Sequence, residues 1–126
     1  MLFRILLITL TLSACSDPYG DAQKVDTIAA WEAFVQDNPK NPKRSLAEVR
    51  LEELYLKAAR DGKSLEGYDT YLEKFPKGQM ATAAKKERRE FLMEWARETD
   101  TPDAWEKYIN EYPTGNSKAQ REAKRR

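Results

Sequence analysis

The chain has 126 residues, 22 Lys plus Arg against 21 Asp plus Glu, no histidine and a single cysteine. Without histidine, the usual zinc sites, His-based triads and common general bases are excluded together. A lone cysteine excludes an intrachain disulfide. A formal net charge of +1 argues against nucleic-acid binding, which calls for a clearly basic surface.

Residues 1–14 hold one charge, Arg4, and an apolar run from Ile5 to Leu12 broken by Thr9 and Thr11. Charge, apolar run, then small residues is the layout of a secretory signal, and the run is too short to span a bilayer. It ends in Leu12-Ser13-Ala14-Cys15. These four residues resemble the bacterial lipoprotein signal. The resemblance implies cleavage before Cys15, a diacylglycerol thioether on its sulfur and an acyl group on its new amino terminus. Each buried methylene contributes about 0.8 kcal/mol, and two chains already anchor a protein stably. Ser16 after the cysteine resembles the outer-membrane-directed form of the signal. The expected location is therefore the bacterial envelope, on the outer membrane and facing the periplasm. Removing residues 1–14 loses only Arg4, so the mature chain balances 21 cations against 21 anions. Residues 15–25 show no period and include Pro18 and Gly20, which reads as a flexible lipid-bearing tether.

Residues 26–126 read as one helical domain, because a step of 37 residues runs through them. It links Trp31, Tyr68 and Trp105; Phe34, Tyr71 and Tyr108; Val35, Leu72 and Ile109; and Pro39, Pro76 and Pro113. Self-similarity at such a period marks a repeat array. Within each copy the apolar residues fall at i, i+3, i+6, i+7 and i+10, one face of a helix. Thr27, Ser64 and Thr101 precede these helices, where a hydroxyl caps free N–H groups. Pro102 suits a first helical position and Asp103 the positive helix end. The prolines stop each first helix.

A second helix follows each turn. In copy one Ser45 to Glu48 reads as a capping box, with the helix running to about Arg60 and ended by Asp61-Gly62. In copy two the expected span is Gln79 to Glu98. In copy three, Ser117 to Arg126 reads as a short polar capping helix, which repeat arrays need at their ends. The fold class is thus all-α: five helices in two and a half helix-turn-helix repeats. The pattern aromatic-x-x-aromatic-aliphatic-x-x-aromatic-Pro-x-Gly, clearest over residues 66–84, resembles the tetratricopeptide-like superfamily. It is most similar to the variant in envelope proteins of the outer-membrane assembly and Tol–Pal coordinator type.

The aromatic positions read as core rather than a ligand box. Glu52 and Glu53 are adjacent, so on a helix they diverge and cannot share a substrate. Glu87, Glu90 and Glu94, among Lys85, Lys86, Arg88 and Arg89, read as a solvated, charge-laced face. An enzyme would have to work with carboxylates alone, and a non-enzymatic role is expected, with no cofactor beyond the lipid on Cys15.

On the first helices, with Trp31 at zero, one shoulder at about 260° holds Ala30, Gly67 and Ala104, which suits close helix approach. The opposite shoulder is acidic: Glu32, Glu66, Asp69, Glu73, Asp103 and Glu106. First helices line the inner surface in the superfamily resembled, so these six are the candidate partner-binding residues. The expected partners are the membrane, through the lipid, and a protein with a basic segment. The alternative is that these acids pair with bases on the second helices. A structural lipoprotein that self-associates or attaches to the cell wall is the alternative function, with a homodimer covering the ragged end.

Overall fold

A computed structural model of the chain describes residues 17–114, 121 and 125. Cys15, the signal residues and nearly all of the expected capping helix at 117–126 lie outside them. The described residues form six helices: α1 Pro18–Val25, α2 Ile28–Asp37, α3 Arg44–Gly62, α4 Leu65–Lys74, α5 Ala81–Thr99 and α6 Pro102–Glu111. The molecule is all-helical, and each helix packs chiefly on the next in the chain. Short connections make such neighbours antiparallel.

The starts of α2, α4 and α6 follow from one capping geometry. Thr27, Ser64 and Thr101 have extended backbone, and each hydroxyl accepts the N–H of the third residue on: Ala30 at 3.2 Å, Gly67 at 3.2 Å and Ala104 at 3.3 Å. Each satisfies one N–H that the first helical turn leaves unpaired. The capping box at Ser45 does not form. Helix α3 begins one residue earlier, at Arg44, with no side-chain cap. Glu48 instead accepts from Arg44 Nε at 2.9 Å, one turn back along the helix. The left-handed residue that ends α3 is Lys63 rather than Gly62. Asp26 and Asp100 do the same for α1 and α5, with φ of 49°, 45° and 47° in chain order.

The segment expected as a tether is a helix. Tyr19 of α1 meets Trp31 and Phe34 edge-on, at centroid distances of 5.2 and 5.6 Å, and Ala22 is buried. Eight residues, six of them neither aromatic nor buried, are too few for a helical period to emerge. A different signal was present. The 37-residue step also links Ala22, Ala59 and Ala96, all buried. Shifted by 37 and by 74 residues, α1 lands on 55–62 and 92–99, the last eight residues of α3 and α5.

The core is a chain of three clusters. Trp31, Phe34, Ala47 and Leu51 join α2 to α3 under α1. Tyr68, Tyr71, Leu56, Ala59 and Ala84 join α3, α4 and α5. Trp105, Tyr108, Leu92 and Ala96 join α5 to α6. Trp31 and Trp105, the tryptophans of the first and last repeat helices, are both buried, and Trp95 is the exposed one. The small shoulder of the first helices is used as its composition implies. A Cβ on Gly67 would stand 2.8 Å from Ala59 Cα, so α3 and α4 touch backbone to backbone.

Candidate functional site on the first helices

The acidic shoulder divides into two groups. Glu32 and Asp69 are tied into the fold; Glu66, Glu73, Asp103 and Glu106 are exposed and make no ion pair with a described residue.

Glu32 Oε1 accepts the Tyr55 hydroxyl at 2.5 Å and Lys74 Nζ at 2.9 Å. The Tyr55 bond, then Lys74, holds its carboxyl below the ordinary range. Lys74 also lies over the Tyr55 ring, 4.9 Å from its centroid. The ion pair joins α2 to α4, and because Lys74 leaves α4 beside Gly67, it sets the acidic shoulder of α2 against the small-residue shoulder of α4. Asp69 accepts Arg88 Nε at 2.6 Å. Arg88 comes from α5, a second helix, which is the internal pairing that competes with partner binding. The same guanidinium reaches Glu111 at 2.6 Å and the Tyr112 hydroxyl at 2.9 Å. Its side chain is only 15 % exposed, and the Asp69 bond raises its pKa further.

Lys74 and Glu111 are the partners that residue-by-residue reading missed. They occupy the same position 37 residues apart with opposite charge. Facing Glu32, a lysine pairs directly. Facing Asp69, a second acid stands in its place, and Arg88 enters between the two. Opposite signs at one phase of the step were a legible hint; the identity of the bridging cation was not.

Glu66 stands at a depression of about 270 Å³ between α2, α3 and α4, with Ile28, Tyr55, Ala58 and Thr70 in its wall. One helix pair further on, Leu65, Phe91, Trp95 and Lys107 line its counterpart of about 310 Å³. Ala58 and Thr70 in the first correspond to Trp95 and Lys107 in the second, 37 residues later. The two depressions are separate, so the free acids do not converge on one cavity.

Other carboxylates serve packing. Glu52 is buried, and one of its oxygens accepts both the Tyr71 hydroxyl at 2.6 Å and the Met80 N–H at 2.8 Å. A Cβ on Gly78 would lie 2.3 Å from that oxygen, which is why the α4–α5 turn has glycine there. Its neighbour Glu53 is exposed and pairs with Arg50 at 2.7 Å. Among the described residues no three His, Cys, Asp or Glu converge as a metal site, and no helix is long and apolar enough to cross a membrane.

The chain matches no protein-family profile, no curated protein and no solved structure.

Proposed function

We propose that this is a lipid-anchored interaction module of the bacterial envelope, built as tetratricopeptide-like helix-turn-helix repeats, that binds a protein through the flank of its first helices and performs no catalysis. The observation that carries the reading is the Glu32–Lys74 pair. It ties α4 to α2 through the shoulder away from Glu66 and Glu73, which leaves those two acids of α4 exposed. The equal lengths of α2, α4 and α6, and of α3 and α5, support the repeat. Four exposed acids that make no ion pair with a described residue favour a partner with a basic segment. Anchorage through Cys15 rests on the four-residue signal, and the outer-membrane, periplasm-facing location on Ser16 after it.

The test uses acids outside the internal pairs. Glu66→Lys with Glu106→Lys should leave thermal melting unchanged and abolish capture of a basic partner, which salt should also weaken. Undiminished capture by the well-folded double variant rejects the acidic flank.

One observation favours the structural alternative. Val25 is 62 % exposed and borders an open apolar depression of about 330 Å³ with Ala22, Ala30, Ala33 and Phe34. Self-association through this end predicts a mass that rises with concentration and falls back on Val25→Glu.

A further inference from the structure

We infer that one end of the helical array, the end carrying the α2–α3 turn, rests on an anionic bilayer surface. Lys40 and Lys43 meet the headgroup phosphates there, and Leu46 lies at the interface. The inference rests on the lipid anchor proposed above.

Reach is the first argument. Cys15 precedes Pro18, the first residue of α1, by three residues. Three residues extend at most about 11 Å. With α1 packed on α2, the array has no slack to swing away from a lipid on Cys15. The start of α1 must sit close to the bilayer.

Polarity is the second. Lys43 Nζ lies 4.7 Å from the Tyr19 ring centroid, which puts the α2–α3 turn beside the start of α1. At the other end of α1, Asp26 is paired with Arg50 at 2.6 Å. So α1 runs alongside α3, its start toward the turn and its finish away from it. The α4–α5 turn leaves the array on the same side as the α2–α3 turn, because successive helices are antiparallel. These two turns carry Lys40, Lys43 and Lys77, none paired with a carboxylate of a described residue. Asp17, Asp37 and Glu73 lie at this end too, and Arg44 is neutralised by Glu48. At the opposite end Asp26 is paired with Arg50 and Asp61 with Lys57, and Glu98 and Asp100 stand there with Lys63. The anchored chain therefore enters at the end of the array where the lysines of the two turns stand. Anionic headgroups attract basic residues held within a Debye length of the surface.

Exposure is the third. Leu46 is 59 % exposed and Val49 36 %, both on α3 within two turns of Lys43. A lysine-flanked apolar pair suits the headgroup–acyl boundary. Because the acyl chains already hold the protein, these contacts set orientation rather than affinity. They turn the Lys40–Lys43 end down and the opposite end outward.

The test uses the mature lipoprotein in vesicles of phosphatidylethanolamine and phosphatidylglycerol with a headgroup-quencher lipid. A lipidated Cys15 has no free thiol, so a cysteine placed at exposed Ser45 or Glu98 takes a fluorescent maleimide alone. Position 98 lies near the far end of α5, whose 19 residues span about 28 Å. The label at Ser45→Cys should be quenched several-fold more than the label at Glu98→Cys. The contrast should shrink with Lys40→Glu plus Lys43→Glu, and also when phosphatidylcholine replaces phosphatidylglycerol, which needs no mutation. Equal quenching at both positions, or a contrast indifferent to lipid charge, overturns the orientation while leaving the anchor intact. Maleimide labelling of Cys15 in the unsubstituted protein overturns the anchor, and the orientation with it.

Discussion

The α2–α3–α4 and α4–α5–α6 segments have the same helix lengths and the same buried tyrosine, yet their polar contacts use opposite charges. In the first, the Tyr71 hydroxyl donates to buried Glu52, which also takes a backbone N–H. In the second, the residue 37 positions after Glu52 is Arg89. It donates to the Tyr108 hydroxyl at 3.3 Å and lies over the Tyr112 ring. Likewise Glu32–Lys74 in the first becomes Asp69–Arg88–Glu111 in the second. The lesson is that apolar phase sets where helices meet, while the polar pairs crossing the contact are interchangeable provided that each buried group finds a partner. The step tolerates a full exchange of sign.

The comparison breaks first at the tyrosine. Tyr71 is fully buried and Tyr71→Ala should cost about 3–5 kcal/mol, by analogy with large-to-small aromatic losses. Exposed Glu73→Ala should cost under about 0.5 kcal/mol. Similar urea midpoints for the two variants would contradict the assigned face.

Close backbone approach is the next lever. Gly67→Ala forces a methyl against Ala59 and should cost about 1–3 kcal/mol. Ala104 already occupies the corresponding position of α6 and is buried. A neutral melting shift for Gly67→Ala would mean that α3 and α4 can separate as α5 and α6 do.

The exchanged charges separate in a third pair of variants. Tyr71→Phe leaves buried Glu52 short of a donor and should cost about 1–3 kcal/mol. Tyr108→Phe removes a long contact to Arg89, which keeps the Tyr112 ring, and should cost under about 1 kcal/mol. Equal losses in chemical denaturation would show that the two segments are energetically alike despite their chemistry.

The smallest effect is the pH dependence carried by the carboxylates held low between helices. Hydrogen bonds from Arg50 and from Trp31 hold the Asp26 carboxyl at about 2, below its ordinary 3.8. Glu32 and Glu87 are also held low, by Tyr55 with Lys74 and by Arg60. A depressed carboxyl contributes stability that is complete above its ordinary value and is lost as pH falls through the folded one. The melting temperature should therefore fall between about pH 4 and 2, more gently in Asp26→Asn. These pairs are partly exposed, so the slope should be small. An identical acid limb in Asp26→Asn would discount the pair.

Trp31 and Trp105 illustrate a local rule that the sequence carried openly. Each indole N–H donates to the aspartate five residues before it, Asp26 at 2.8 Å and Asp100 at 3.2 Å. Where the aromatic is Tyr68, that aspartate is Lys63, and the hydroxyl turns to Glu87 at 3.5 Å. A tyrosine has its polar atom at the ring's far end, so it reaches the next helix rather than its own cap. The expected capping box failed for the converse reason. Lys43 turns out of the helix through a bond to Asn41 at 2.9 Å, and α3 starts before Ser45 can serve.

By itself, the sequence determined the all-helical class, the buried aromatic positions and the hydroxyl caps at Thr27, Ser64 and Thr101. Each depends on residues within a few turns of one another, or on a period repeated along the chain. Tertiary structure decided that 18–25 is a packed helix and that Glu32 and Asp69 are held internally while Glu66, Glu73, Asp103 and Glu106 face solvent. Periodicity fixes the direction in which a side chain leaves its helix. Whether a cation waits there depends on residues 19 to 42 positions away, such as Arg88 for Asp69 and Lys74 for Glu32. Their placement is set only when the helices pack.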